Sequence, residues 1–181
     1  MATGAVGDEA ELSAWVGAVL RHGTGRGDSI LLAHSRRPGA DIAALEALAR
    51  ALAPSSERLT ETLEQGRAFA AQASALTGMP VPALPLPLAV GLATAPLQVP
   101  TAAVVALWLQ ALAAQLVSAA VRFLPLGQTA GQRILYGMAG RVVPIARFAA
   151  AAPLAAVSSF TPGADMASMD HETLAVRIFR T

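Results

Sequence analysis

Apolar residues recur at helical spacing along most of the chain, and caps, glycines and prolines separate the recurrences. In DEAELSAWVGAVLRHG, beginning at Asp8, the residues Leu12, Trp15, Val16 and Val19 share one face of a helix. Asp8 suits the N-cap, Glu11 stands where it completes a capping box, and Gly23 can end the helix. The next stretch, GTGRGDSILLAHSRRPG, reads as a linker followed by a helix: Gly23, Gly25 and Gly27 follow no strand, and their spacing is not that of a dinucleotide fingerprint. The tripeptide Arg26-Gly27-Asp28 matches an adhesion motif too short to carry weight. Asp28 is expected to cap the helix bearing Ile30, Leu31 and Leu32.

Asp41 is placed to cap IAALEALARALA, whose Ile42, Leu45, Leu48, Ala49 and Leu52 form a stripe ended by Pro54. Ser55 or Ser56 then caps ERLTETLEQGRAFAAQASALTG. Here Leu59, Leu63, Ala70 and Leu76 are expected to face inward, with Gly78 closing the helix. Gly66 in its middle costs about 1 kcal/mol against alanine, either tolerated or explained by a close approach. MPVPALPLP, with prolines at alternate positions, cannot be a regular helix and is expected to be an extended connector inside one domain. A short helix over Leu86 to Leu97 should follow.

The most apolar run begins at Thr101. Up to Arg122, only Thr101, Trp108, Gln110, Gln115 and Ser118 interrupt Ala, Val and Leu with hydrogen-bonding side chains. Such a helix should be buried on nearly every side, by its own neighbours or by lipid. Its apolar length, about 20 residues, would suffice for a bilayer. Trp108 inside the run, the shared sector of Gln110, Gln115 and Ser118, and the interruption of the next apolar stretch by Pro144, Arg147 and Pro153 favour a soluble bundle. Beyond it, Pro125 breaks the helix, Gly127 allows a turn, and Thr129 is expected to cap a helix carrying Gln132, Arg133 and Tyr136.

Composition sharpens this picture. The chain is 54% hydrophobic but only 4% aromatic, so its core must be built from Ala, Leu and Val, which favours an all-α fold. The 13 basic residues are all arginine and the net charge is +1, which argues against a nucleic-acid binder; without lysine there is no Walker A loop or Schiff base. Between Glu64 and Asp165 lie Arg67, Arg122, Arg133, Arg141 and Arg147 but no acid, so exposed surface from this region is positive and suits an acidic partner. No cysteine is present, which removes disulfides, thiolate metal sites and cysteine nucleophiles. Met1 leads into a polar, acidic stretch instead of a signal peptide, and the expected compartment is the cytoplasm.

Candidate chemistry is sparse. His22, His34 and His171 have no second ligand one helical turn away, and no G-x-S-x-G elbow occurs, so neither metal nor catalytic residues are assigned. Gln128, Gln132 and Arg133 form a cluster of donors near a helix start, suited to gripping a partner's backbone or carboxylate, or to tying the loop to its own domain. At the C-terminus Met166 and Met169 give an apolar face. Arg177, Phe179 and Arg180 make a basic, aromatic-anchored end of the kind that orders on a partner.

The run PLPLAVGL, then LQALAAQLVSAAVRFLPLGQTAGQRIL, then DMASMDHETLAVRIFRT, resembles the UreF family of urease accessory proteins. WVGAVLRHGTGRGDSILLAH and ALAPSSERLTETLEQGRAF agree, so the likeness runs along nearly the whole chain in order. The resemblance implies an all-α, cytoplasmic homodimer that joins a UreD-like protein. That pair recruits a UreG-like GTPase and serves nickel insertion into apo-urease, as a scaffold without catalysis, cofactor, nucleic-acid or membrane partner. It also implies partner contacts at Gln128, Gln132, Arg133, Met169, His171, Glu172, Arg177, Phe179 and Arg180. Members usually begin with a Ser-Pro-x-Leu-Pro-x-Gly segment and a helix to which nothing here corresponds. Asp170 stands where a basic residue is common, and Leu174 to Val176 replace a more polar stretch. The expected architecture is one UreF-like domain of roughly seven to nine helices over residues 1–181. Within it fall a charged amphipathic half (8–78), a connector (79–85), an apolar half (86–160) and a partner-binding tail (161–181).

Overall fold

The structure is a computed structural model and describes residues 6–161. Among these it contains seven α-helices, one 3-10 turn and no strand, as the all-α expectation requires. They are α1 (Glu9–His22), α2 (Thr24–Ser35), α3 (Ile42–Ala51), α4 (Ser56–Thr77), α5 (Leu86–Thr94), α6 (Thr101–Phe123) and α7 (Gly127–Ala151), with the 3-10 turn at Leu154–Ala156.

Local chemistry starts most of these helices where the sequence placed them. The carboxylate of Asp8 accepts the Glu11 N–H (2.8 Å), while Glu11 reaches back to the Gly7 N–H (2.7 Å), one residue beyond the usual capping box. Asp41 accepts from Ala44, Ser55 from Arg58, and Gly78 ends α4 in the left-handed conformation.

Two starts differ from the reading above. Residues 24–35 are helix, not linker, because Gly25 and Gly27 serve close packing: a β-carbon at Gly25 would lie 2.6 Å from the Leu20 Cα, and one at Gly27 3.3 Å from the Ser158 carbonyl. Asp28 is therefore inside α2, not at its cap, with Arg58 of α4 at 3.8 Å. Helix α7 begins at Gly127, two residues ahead of Thr129, and has no side-chain cap.

One core cluster joins α1, α2, α6 and α7 through Leu12, Val16, Leu20, Ile30, Val105, Leu109, Ile134 and Met138, all essentially fully buried. Helices α6 and α7 form an antiparallel hairpin: Gly131 faces Val117 and Val121, while the Gln110 amide donates to the Leu135 carbonyl at 3.5 Å. Helix α1 lies beside α7 in parallel, with Glu9 meeting Arg133 and the Ser13 carbonyl meeting Arg141. A smaller cluster of Leu31, Leu45, Leu84, Leu88 and Ala89 joins α2, α3 and α5. Arg36 ties the two clusters together by donating to the carbonyls of Thr94 and Val99 and to the Thr101 hydroxyl.

The proline-rich connector is extended, as expected, and runs back along α4. N–H groups in it and at the start of α5 find side-chain acceptors there, Val81 on Ser74 (2.8 Å) and Leu86 on Thr62 (3.3 Å). Gly66 is the contact point: a β-carbon there would run into the Leu84 carbonyl, so close approach explains this glycine. Leu76, expected inside, is 86% exposed: it lies in the last turn of α4, beyond Ala70, the last buried residue of that helix.

Helix α6 is not walled in. One stripe, Val104, Val105, Leu109, Ala113, Val117 and Ala120, is buried, while Ala103, Leu107, Ala111, Ser118 and Ala119 face outward. The neighbours α1, α2 and α7 all lie on the buried side. Of the polar residues expected to meet buried partners, Gln110 does, but Gln115 and Ser118 are exposed. Nor do Pro144 and Arg147 break the second apolar stretch: α7 is continuous through Pro144, with Gly140 one turn back at the site of the missing hydrogen bond. Both α6 and α7 are thus long and apolar enough to cross a membrane by length and composition, with 33% and 28% of their apolar windows buried.

Candidate partner-binding surface

Three residues singled out in the sequence stand together at the start of α7. A short segment, 124–126, turns the chain out of α6, and Gly127 accommodates a φ of 69°. Gln128, Gln132 and Arg133 follow within two turns, all exposed. Of these, Arg133 is already engaged: its guanidinium forks onto the Glu9 carboxylate through Nε (3.1 Å) and Nη2 (2.7 Å). The hydrogen bond, and then the opposite charge, hold Glu9 below the usual carboxylate range and Arg133 above its ordinary value. Such an exposed pair aligns α1 with α7 but adds little stability. Met169, His171, Glu172, Arg177, Phe179 and Arg180 lie outside the described residues.

Near Gln132, one turn on, Tyr136 is 88% exposed, and Leu107 on α6 is 71% exposed. Val143 on α7 is also exposed. The sequence did not single these out as surface, because in a run this apolar nothing distinguishes the inward stripe from the outward one. Large apolar side chains held out in water on two neighbouring helices usually mark an interaction face.

The two described histidines take structural or solvent roles. His34 Nε2 lies 3.0 Å from the Ala152 carbonyl, and His22 is exposed at the end of α1. Among the described residues no group of three His, Asp or Glu is placed to hold a metal ion.

Fold and surface together define an all-α protein with an apolar helical hairpin exposed along one side. Comparison with known proteins then gives the family. Residues 6–139 match the UreF family model, and the chain belongs to that family. It is 54% identical over 181 residues to the urease accessory protein UreF of Cereibacter sphaeroides strain ATCC 17025, covering all of this chain and 86% of the relative. It is 49% identical over 172 residues to the Paracoccus denitrificans UreF (95% of this chain, 80% of the relative). To that of Dinoroseobacter shibae it is 40% identical over 181 residues (100% and 86%).

Proposed function

We propose that the chain is a non-catalytic scaffold of urease maturation. In this reading it bridges a UreD-like accessory protein and a UreG-like GTPase to apo-urease while nickel, the cargo, is inserted, and it works in the cytoplasm without a cofactor of its own. The observation that carries the proposal is the match to urease accessory proteins along the whole chain.

The surface supports it. Apolar side chains at Leu107, Tyr136 and Val143 need a covering protein, and we assign the outward face of α6 and α7 to contacts within the maturation complex, including a second copy of the chain. Gln128 and Gln132 offer uncommitted amides at the edge of that face, and Arg133 offers the guanidinium donors that Glu9 leaves over. Met169, His171, Glu172, Arg177, Phe179 and Arg180 are proposed as the contacts of the C-terminal tail, with Phe179 the anchor and the arginines pairing with carboxylates. Asp170 in place of a basic residue weakens that contact.

The test is reconstitution. Urease structural subunits co-expressed with the full accessory set should purify with nickel in their active sites and with activity. Omitting this chain should leave urease assembled but nickel-poor. Nickel content unchanged by the omission would refute the proposal.

A second reading, a small integral membrane protein built on the α6–α7 hairpin, draws on one observation, the membrane-spanning length of both helices. Its test is fractionation, described below.

A further inference from the structure

On the flank of α7 opposite its junction with α6, a cleft of about 590 Å³ opens between the C-terminal half of α7, the end of α1 and the start of α2. It is lined by the apolar side chains of Ala18, Pro144, Ile145 and Phe148 together with Arg21, His22, Arg26 and Arg141. Among the described residues that line it none is acidic.

Two of the arginines are held in place. Arg26 lies 4.5 Å from the Phe148 ring centre and donates to the Ser158 hydroxyl (3.1 Å) and the Ala156 carbonyl (3.4 Å). Arg141 donates to the Ser13 carbonyl at 3.1 Å, across the space that Gly17 leaves open: a β-carbon there would stand 2.6 Å from the guanidinium Nη1. Each guanidinium has five N–H donors, so both retain donors for a ligand while already positioned by these contacts. Arg21 is exposed and makes no hydrogen bond or ion pair within the described residues.

We propose that this cleft is a docking site for an acidic segment of a partner protein, one whose carboxylates flank an apolar side chain. The proposal rests on the scaffold reading and adds to it a second contact surface, separate from the α6–α7 face. Charge complementarity selects the acidic partner: three arginines and a histidine converge with no acid among them. The apolar part of the lining selects against a small hydrophilic anion. Inorganic phosphate would satisfy the arginines but leave Pro144, Ile145 and Phe148 wet, whereas a leucine or phenylalanine between two carboxylates covers the apolar side chains and reaches the arginines at once.

The probe is a short fluorescein-labelled peptide in which aspartates and glutamates flank a central Leu-Phe pair, titrated against the full chain at low salt. Arg21→Glu combined with Arg141→Glu should weaken binding at least about tenfold. Arg67→Glu combined with Arg122→Glu, the same charge change on distant exposed helix positions, should weaken it less than about twofold. Replacing Leu-Phe by Ser-Ser should also cost about tenfold, and phosphate should compete only through ionic strength. Arg21→Glu alone removes no contact within the fold and keeps the test valid if the double variant unfolds. Equal weakening by both arginine pairs, competition by phosphate at constant ionic strength, or indifference to the Leu-Phe pair would each overturn the proposal. The scaffold reading is judged separately, by whether the wild-type chain captures its partners.

Discussion

Asp28 is a carboxylate in an unfavourable place. It sits inside α2, beside a small cavity of about 30 Å³ shared with Arg58, Leu31, Thr62 and Ser159. Burial raises its pKa to about 6, with the charge of Arg58 pulling it back. Burial also opposes the charge of Arg58, yet Asp28 and Glu61 together hold that guanidinium above its ordinary value. Since the folded pKa of Asp28 exceeds the unfolded one, its stabilising contribution is fully present below about pH 4 and is lost as pH rises through about 6. Urea unfolding of wild type and Asp28→Asn at pH 4 and pH 7.5 should therefore show the variant gaining on wild type with pH, by on the order of 2 kcal/mol. Parallel profiles would contradict the assignment. At the N-terminal end of α1, the Glu9–Arg133 pair separates a structural role from a binding one. Glu9→Gln and Arg133→Gln should each leave the urea-unfolding midpoint nearly unchanged, since the pair is exposed. Only Arg133→Gln should reduce partner capture, and equal losses from both would reduce Arg133 to a tie between helices.

Among the elements, the connector and α4 show how tightly glycine is used. Gly66→Ala should destabilise by about 2 kcal/mol or more in denaturant unfolding, because the Leu84 carbonyl occupies the new methyl's place. Gly137→Ala in α7, where nothing lies within 4 Å, should stabilise by about 0.5–1 kcal/mol. Similar effects at both sites would remove the close approach from the account. Caps and breakers at Asp8, Asp41, Ser55 and Gly78 were legible in the sequence because they act on their own helix within a few residues. The helix through Gly25 and Gly27 was not legible. Its reason lies in Leu20 and in Ser158, more than a hundred residues away, and local propensity alone favours a break. The inward stripe of α6 was hidden for a different reason. With Ala and Leu on every side, periodicity offers no contrast, and only the positions of α1, α2 and α7 decide which side is covered. Of the site, Gln128, Gln132 and Arg133 were visible as polar residues after an apolar run, whereas the partner of Arg133, Glu9, lies at the far end of the sequence.

As a whole, the molecule is a bundle with one flank unfinished. Its two longest helices bury only 33% and 28% of their most apolar windows, which fits either a protein partner or lipid. The proposal of a cytoplasmic scaffold expects the chain, expressed with its partners, in the high-speed supernatant without detergent. Recovery only in detergent extracts would favour the membrane hairpin instead. The most direct test of the central claim is capture: tagged chain co-expressed with UreD-like, UreG-like and urease subunits, purified at low salt, and the retained proteins identified by mass spectrometry. The account predicts that the UreD-like protein is retained, that it brings the GTPase with it, and that Leu107→Asp with Tyr136→Asp strips partners while the variant stays folded. A chain that purifies alone, with neither protein bound, would contradict it.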